Sequence, residues 1–281
     1  MADTRFRTFL KLCDLMNYRK TAQALNMTQP AVTQHIHYLE EQYDCRLFTY
    51  NGRVLRKTEQ CLELERYARS MLYNEKAFLE GFHRPKAVHL SIGATKTIGD
   101  YTMGDQLMKL LKRDDVELEF LIDNTEHLLA KLNAMELDLL LVEGFVDKNC
   151  YGHELIQEEE LVGICSPEHP FAGQEIPLES LFDQHIILRE DGSGTRAVFE
   201  TFLREHGYTH ESFRRHSHLS SFQLITRAAA ENCGISFVYE SVAKSTDAVA
   251  TFRIQGSRIT HEFNYVFLKN TDISRYLQLL K

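Results

Sequence analysis

The stretch that decides the fold runs from Asn17 to Leu39 and reads NYRKTAQALNMTQPAVTQHIHYL. It predicts two short helices joined by a tight turn at Asn26. The side chains of Asn17 and Thr28 are placed to cap the two helices, because they can accept hydrogen bonds from N–H groups that a helix start leaves free. A proline follows in the first turn of the second helix, where its missing N–H costs nothing.

The second helix has two contrasting faces. Val32, Ile36 and Leu39 recur at spacings of four and three, which predicts one buried stripe. The opposite face carries side chains that both donate and accept hydrogen bonds, as reading base edges in a major groove requires. These side chains are Gln29, Thr33, Gln34 and His37. An ordinary amphipathic helix pair in a larger core has similar spacing, so the rest of the chain must decide between the two interpretations.

Length and composition limit the class of protein. At 281 residues the chain is long enough for two or three domains with cores of their own. Its 43% apolar and 26% charged residues are typical of a soluble globular protein. No run of about 18 apolar residues occurs and the N-terminus lacks a signal pattern, which predicts a cytoplasmic protein without membrane contact. The six cysteines include no Cys-x-x-Cys pair, so neither a disulfide framework nor a structural zinc site is expected.

The net charge of −8 is unevenly distributed along the chain. Residues 1–86 hold 14 Lys and Arg against 10 Asp and Glu, whereas residues 87–281 hold 18 against 30. A mildly basic head on an acidic body is typical of a DNA-binding module that carries a regulatory domain.

Further signals extend the head on both sides of the helix pair. Asp3 is placed to cap a first helix. After the second helix of the pair, Asn51-Gly52 gives the strongest short hairpin signal. A hairpin in this place is a wing, and Arg53 on it is positioned to contact DNA phosphates. A solvated charge cluster is the alternative, and the position next to a recognition helix argues against it.

A long helix is predicted from Thr58 to about Phe82. Its apolar residues recur at alternating spacings of four and three, which indicates a coiled-coil seam. A helix this long and apolar needs a partner, and a two-fold-related copy is the simplest one. His83-Arg84-Pro85-Lys86 then breaks the helix and marks a domain boundary.

Beyond Pro85, strand and helix patterns alternate, which predicts an α/β body of right-handed crossovers. Leu137–Val142 is an almost unbroken apolar run, as expected of a central parallel strand. The body is expected to form two lobes that are connected near Leu161 and Thr260.

Two loops of the body are candidate ligand sites. Arg189–Arg196 leaves a strand, turns through two glycines and starts a helix, so its backbone N–H groups, two hydroxyls and an arginine form an anion cradle. Thr95 and Thr97 lie on another strand-to-helix loop, and we expect them to converge with the first loop across a cleft between the lobes. The alternative is that both loops are merely well-capped turns.

Catalytic and metal sites have weaker support. Gly192–Thr195 differs from the Gly-x-Ser-x-Gly elbow, and no full Walker loop occurs. His216 and His218 share a face if they lie on a strand, but no cysteine or carboxylate pattern accompanies them. We therefore predict a protein that is not an enzyme and has no metal site or cofactor.

With these parts in place, the chain resembles the LysR-type transcriptional regulators over essentially its full length. The resemblance rests on Asn17–Ala22, Thr28–Gln34, Leu39–Glu41 and Leu47–Thr58 in this order, a combination that is specific to the family. Residues 93–99 and 192–196 look like effector-cleft loops of the branch that includes the cysteine- and sulfur-metabolism regulators.

The resemblance implies an α/β fold class with an all-α winged helix-turn-helix head. The winged helix would occupy residues 1–58, a linker and dimerisation helix 59–86, and a two-lobed, periplasmic-binding-protein-like effector domain 87–281. Lobe I would comprise about 87–160 and 261–281, and lobe II about 161–260.

The resemblance also implies a bacterial regulator whose DNA binding or activation responds to a small anionic effector of unknown identity. Its expected partners are double-stranded promoter or operator DNA, a homodimer or homotetramer of itself, and RNA polymerase. The DNA-binding residues it implies are Arg19, Thr28, Gln29, Pro30, Thr33, Gln34, His37 and Arg53. The effector-binding residues it implies are Thr95, Lys96, Thr97, Glu143, Ser193, Gly194, Thr195 and Arg196.

The sequence departs from the family pattern at the recognition helix and at the linker. The family often has basic residues where Gln34, His35 and His37 stand, so fewer phosphate and guanine contacts are expected here. Gln60-Cys61 replaces the small-residue and glycine step that usually opens the linker. Because an imidazole gains charge below about pH 6.5, His37 is predicted to make DNA binding pH-sensitive.

Two other functions remain possible from the residues. One is a small-anion-sensing solute-binding module that uses its helical head for protein contacts, and the other is a small-molecule enzyme. The polar outward face of the second helix and the basic wing favour the DNA-binding regulator, since neither alternative needs them.

Overall fold

The computed structural model describes residues 3–82 and 87–280. The predicted helix break at residues 83–86 lies outside the described residues. Within the described part of the chain, no helix is both long enough and apolar enough to cross a membrane.

Two compact units make up the chain. One contains Met1–Lys86 together with Leu268–Asp272, and the other contains Ala87–Phe267 together with Ile273–Lys281. The first unit holds the predicted helix pair, and the second holds both loops that were candidate ligand sites.

Helices and a hairpin form the head. In chain order they are α1 (Thr4–Leu15), α2 (Tyr18–Ala24), α3 (Gln29–Gln42), β1 (Phe48–Asn51), β2 (Val54–Lys57) and the long helix α4 (Glu59–Phe82). Asp3, Asn17 and Thr28 accept hydrogen bonds from backbone N–H groups of the following helix at 3.0, 3.0 and 3.3 Å. The three predicted caps are therefore present, and each satisfies a donor that the first helical turn leaves free.

The hairpin turns one residue later than its Asn-Gly signal. Asn51 pairs with Val54, so the two loop residues are Gly52 and Arg53. Gly52 has a φ of 62°, and a positive φ at the first loop position is typical of the type II′ turn, which favours glycine there. The head thus contains the predicted wing as a short antiparallel sheet beside its helices.

Helix α4 covers 24 residues, close to the predicted span. Ala68 and Leu72 near its middle are buried, whereas Phe78 and Phe82 near its end are 67% and 73% exposed. The two phenylalanine rings lie 5.9 Å apart. In the single chain, this end of the predicted seam is an exposed apolar stripe.

The body alternates strands and helices. Its strands are β3 (Val88–Ala94), β4 (Val116–Ile122), β5 (Leu139–Val142), β6 (Tyr151–Cys165), β7 (Glu175–Ile176), β8 (His185–Leu188), β9 (Arg215–His218), β10 (Ser236–Tyr239), β11 (Ala250–Ile254) and β12 (Ile259–Leu268). Its α-helices are α5 (Gly104–Leu111), α6 (Thr125–Asn133), α7 (Gly194–Glu205), α8 (Phe222–Ala230), α9 (Glu240–Lys244) and α10 (Ser274–Leu280). An eight-stranded sheet has the order β4-β3-β5-β12-β6-β11-β7, with β10 also paired to β6, and β8 and β9 form a separate parallel pair.

The central strands form a mixed sheet. β3 runs parallel to both β4 and β5, as the predicted crossovers require. On its other edge β5 is antiparallel to β12, so the predicted parallel environment of Leu137–Val142 is correct on one edge only. The strand itself is buried along its whole length, which agrees with its unbroken apolar run.

Long strands join the two halves of the body. β6 has 15 residues and β12 has 10, and the two are neighbours in the sheet. The connections predicted near Leu161 and Thr260 therefore fall inside continuous strands. The pairings of β10 and β11 with β6 lie within its Leu161–Cys165 end. The other half of β6 is largely polar, which is why the sequence pattern does not separate it from a loop.

Candidate DNA-binding face and effector site

Helix α3 presents the two faces that its sequence predicts. Val32, Ile36 and Leu39 are at most 2% exposed and anchor the helix in the head. The other face lines an open groove of about 510 Å³. The residues that line this groove are Gln29, Pro30, Thr33, Gln34 and His37. Five of the eight predicted DNA-binding residues are thus brought together on one surface.

The remaining predicted DNA-binding residues lie around this helix. Thr28 uses its hydroxyl to accept the N–H of Ala31 at the helix start, so its side chain has a structural role. Arg19, near the start of α2, and Arg53, in the hairpin loop, are both exposed. Exposed guanidinium groups at these positions suit contacts to the DNA backbone more than to base edges.

Glu40 is a residue of α3 next to the DNA-binding face that the sequence reasoning missed. It is only 8% exposed, and its carboxylate accepts hydrogen bonds from the backbone N–H of Leu47 at 2.9 Å and from Arg46 at 3.0 Å. The same carboxylate lies 3.4 Å from Nδ1 of His37. Glu40 therefore ties the end of α3 to the segment that leads into the hairpin. The i, i+3 spacing of His37 and Glu40 was the available signal.

In the body, the two predicted loops converge on a buried carboxyl group. The hydroxyl of Thr97 donates to Oε1 of Glu143 at 3.0 Å and lies 3.5 Å from the hydroxyl of Thr195. Thr97, Glu143 and Thr195 are at most 2% exposed. Thr97 follows β3, Glu143 follows β5 and Thr195 lies in the first turn of α7, so the arrangement depends on the order of the strands.

The environment of Glu143 favours its protonated form. Burial raises the pKa of this carboxyl to about 7, against the opposing effects of the Thr97 hydrogen bond and the nearby positive charge of Arg189. Its second oxygen, Oε2, has no hydrogen-bond partner among the described residues. The hydroxyl of Tyr239 donates to the main-chain carbonyl of Glu143 at 3.3 Å, which fixes the backbone at this point.

Arg189, at the end of β8, is a second residue that the sequence reasoning did not assign to the site. Its side chain is buried, its Nε and Nη2 donate to Glu190 at 2.8 and 3.0 Å, and its guanidinium lies 4.1 Å from the ring centre of Phe222. Its Nη1 has no partner among the described residues. Lys96 donates to Glu190 at 3.1 Å, so this predicted effector residue belongs to the same charged cluster.

Other predicted effector residues line a cavity of about 320 Å³ at the start of α7. Ser193, Gly194 and Arg196 line it together with Thr125 and Gly144. Ser193 occupies the N-cap position of α7 without a side-chain capping bond, which leaves its hydroxyl available to a ligand.

Two predicted residues are already engaged within the protein. Arg196 contacts the carboxylates of Glu200 at 2.8 Å and Asp191 at 2.7 Å. Thr95 is buried, and its hydroxyl donates to the carbonyl of Leu141 at 3.4 Å. Thr95 therefore has a structural role in joining β3 to β5 in this arrangement.

Three histidines lie close together near α7. The ring centres of His210, His216 and His218 are 5.2 to 6.1 Å apart, and β9 places the last two on one face. In the part of the chain that the structure describes, no group of three or more His, Cys, Asp or Glu side chains is arranged to hold a metal ion.

Comparisons with known proteins agree over both units. Residues 4–62 match the family described as bacterial regulatory helix-turn-helix protein, lysR family, and residues 83–281 match the LysR substrate binding domain. The HTH-type transcriptional regulator CysL of Bacillus subtilis is 28% identical over 243 residues, which are 85% of this chain and 80% of that protein. The RuBisCO operon transcriptional regulator of Allochromatium vinosum is 27% identical over 83% of this chain and 78% of its own length.

Solved structures share the fold at lower identity. A full-length OxyR variant from Pseudomonas aeruginosa matches with a TM-score of 0.63 and 19% identity, covering 100% of this chain and 93% of its own. The regulatory domain of Synechocystis CcmR, in complex with 2-PG, matches with a TM-score of 0.61 and 23% identity over 68% of this chain and 95% of its own. The predicted fold class is confirmed, including the hairpin predicted as the wing of the head.

Proposed function

Because this chain belongs to the LysR family of transcriptional regulators, we propose that its promoter binding is controlled by a small anion held in the body by Thr97, Glu143 and Thr195. Family membership makes it a DNA-binding regulator with an effector-binding domain, and neither an enzyme nor a free-standing solute-binding module. The buried cluster of these three side chains is the observation that carries the effector part of the proposal.

Unpaired polar atoms around this cluster support a bound molecule. Oε2 of Glu143, Nη1 of Arg189 and Oγ1 of Thr125 are buried without a hydrogen-bond partner among the described residues. A buried polar group without a partner typically costs roughly 1–3 kcal/mol. Three such groups at the ends of β5, β8 and β4 have a common explanation if an effector with several oxygens completes their hydrogen bonds.

Charge decides the class of effector. An ionised Glu143 would repel an anion, but burial raises the pKa of this carboxyl to about 7, so near neutral pH it can be protonated and donate a hydrogen bond. Arg189 and Lys96 both pair with Glu190, which leaves one surplus positive charge among these three groups, and the threonines supply neutral donors. We infer that an anionic effector binds with uptake of a proton at Glu143, and is therefore held more tightly on the acidic side of neutrality.

The DNA-binding part of the proposal rests on the polar face of α3. Gln29 and Gln34 are exposed there and carry amides that can pair with base edges, and Thr33 lies between them. Arg53 and Arg19 would contact phosphates. We further propose that the exposed stripe at Phe78 and Phe82 pairs with a second copy of the chain. The proposed domains are the head at 1–58, the linker at 59–86 and the effector domain at 87–281. We also propose that the DNA-bound regulator contacts RNA polymerase.

The test is an anisotropy titration of the full chain against its own upstream intergenic DNA and a shuffled fragment, at one fixed salt concentration. We expect a preference of about a hundredfold or more for the upstream DNA. The titration is repeated with 2-PG, the ligand in the Synechocystis CcmR structure, and with other small phosphates and carboxylates, and we expect at least one of them to shift the affinity. Equal, weak and salt-sensitive binding to both fragments would contradict sequence-specific binding.

A further inference from the structure

A second cavity, of about 420 Å³, lies in the body beside the loop 144–148. It is bounded by this loop, by β6 and by one face of β12, and none of the predicted effector residues lines it. It shares Gly144 and Phe145 with the cavity at the start of α7. The remaining lining residues do not line the cavity at the start of α7, so the two can be tested separately.

Asn264 gives this cavity an unsatisfied acceptor. Glu262, Asn264 and Val266 alternate along β12, so their side chains share the face that lines the cavity. Nδ2 of Asn264 donates to Oε2 of Glu262 at 3.2 Å. Because a carboxylate can only accept, the amide nitrogen must face it, and the other amide atom of Asn264 must be the carbonyl oxygen. That oxygen, in a residue only 8% exposed, has no partner among the described residues.

His261 contributes a second acceptor. Burial lowers the pKa of its imidazole, which keeps the ring neutral near pH 7. The ring is hydrogen-bonded to the backbone of Gly144, and a neutral imidazole that donates from one nitrogen presents an acceptor at the other. Its ring centre lies 4.9 Å from that of Phe145, whose side chain is 56% exposed. An aromatic surface thus adjoins the acceptors.

The charges around the cavity favour a cation. Lys148 is paired with Glu262 at 2.6 Å, so its charge is compensated within the protein. Glu158 lines the cavity at an exposed position and brings a further negative charge. His153, the other titratable group of the lining, is exposed. The lining therefore combines surplus acceptors, one uncompensated carboxylate and an aromatic ring.

We propose that this cavity is a second ligand site, which binds a small ring-bearing amine. The ammonium group would donate to Asn264 and lie near Glu158, and the ring would pack against Phe145, where a cation also gains from the aromatic face. Binding at this site does not depend on the effector proposed for the first site, because the lining residues that select the ligand are different.

The test uses the full chain and phenethylamine as the probe, with 3-phenylpropionate as the anion of the same ring and similar length. Binding is measured by ligand-observed NMR and calorimetry. We expect phenethylamine to bind at least about tenfold more tightly than 3-phenylpropionate, and Asn264→Leu to weaken it about tenfold, as loss of a charge-assisted hydrogen bond does. Glu158→Gln should weaken it several-fold.

Glu126→Gln is the matched control, since Glu126 lines the cavity at the start of α7 and not the proposed amine site, and it should leave the affinity for phenethylamine unchanged. Undetectable binding of phenethylamine to the wild type would overturn the proposal. Wild-type affinity for phenethylamine in both a folded Asn264→Leu variant and Glu158→Gln would also overturn it. Tighter binding of 3-phenylpropionate would overturn the assignment of an amine. Because Asn264 is buried, a thermal melt must show that the Asn264→Leu variant is folded. If it is not, Glu158→Gln decides the test, because Glu158 is exposed and its substitution should not affect folding.

Discussion

Gly144 and Gly194 are in direct backbone contact in the body. A Cβ atom on Gly194 would lie 2.9 Å from the Cα of Gly144 and 3.1 Å from its nitrogen, closer than side chains tolerate. Gly144 comes directly after Glu143, just beyond the end of β5, and Gly194 begins the helix that carries Thr195. The absence of side chains at both positions therefore permits the close approach of the two candidate effector loops.

A methyl group at this contact should separate the loops. We expect Gly194→Ala to lower the free energy of unfolding by about 1–3 kcal/mol, as overpacking in a tight core does, and to weaken any effector response. Gly104→Ala is the control, because nothing lies within 4 Å of a Cβ at Gly104. Urea unfolding of the two variants tests this. Equal free energies of unfolding for Gly194→Ala and Gly104→Ala would show that the backbone at Gly144 and Gly194 accommodates the methyl group without loss of stability.

Glu143 should make the stability of the body depend on pH. Its pKa of about 7 in the folded chain exceeds the ordinary value of 4.5, so folding favours the protonated form. The stability that this group contributes is fully present below about pH 4.5 and is lost as the pH rises through about 7. Glu143→Gln should reduce this loss, and Glu205→Gln, at an exposed position of α7, should not. If the free energy of unfolding falls equally in wild type and Glu143→Gln between pH 5 and pH 8, Glu143 is not the group responsible for the pH dependence.

The hydroxyl of Thr97 should matter for the effector and not for DNA. Thr97→Ala removes the donor to Oε1 of Glu143, so we expect the effector-dependent change in promoter affinity to disappear while the basal affinity stays within about twofold. Ser193→Ala should act in the same way, whereas Thr201→Ala on the same helix should be neutral. DNA anisotropy with and without the effector measures this. If either variant unfolds the chain, the loop concerned is structural.

His37 is predicted to make DNA binding stronger at pH 6 than at pH 8. A protonated imidazole on the recognition face adds a positive charge next to phosphates, although Glu40 at 3.4 Å offsets part of it. His37→Ala should remove the pH dependence, and His89→Ala, on the body, should retain it. Equal wild-type affinities at the two pH values, matching those of His37→Ala, would rule the effect out.

Local signals made much of this fold predictable. Helix caps such as Thr28, the apolar periodicity of α3 and the span of the long helix α4 depend on residues close together in sequence, and the structure reproduces them. Short polar strands such as β9 carry no such signal, because pairing with β8 creates them. The same limit applies to the candidate site: Glu143 and Thr97 are 46 residues apart, and only the strand order brings them into contact.

The sequence indicated which loops form the candidate effector site, but not how the charged side chains of these loops are paired. The anion cradle predicted at Arg189–Arg196 includes an arginine, and the structure pairs Arg196 with two carboxylates. The guanidinium with a nitrogen unpaired among the described residues is that of Arg189, the first residue of the same stretch. Both guanidinium groups are nearly buried and paired with carboxylates, and which of them keeps an unpaired nitrogen depends on packing, so residue type and spacing alone do not determine it.

The continuity of β6 and β12 bears on how the body unfolds. Because each strand belongs to both halves, neither half can lose its ordered backbone without breaking hydrogen bonds that the other half also needs. The body should therefore melt as one cooperative unit. A fragment cut at Leu161 and Thr260 would contain truncated β6 and β12 strands, and the backbone N–H and C=O groups left unpaired in the sheet would make it prone to aggregate. Amides in the buried part of β6 should accordingly exchange with solvent only through unfolding of the whole body.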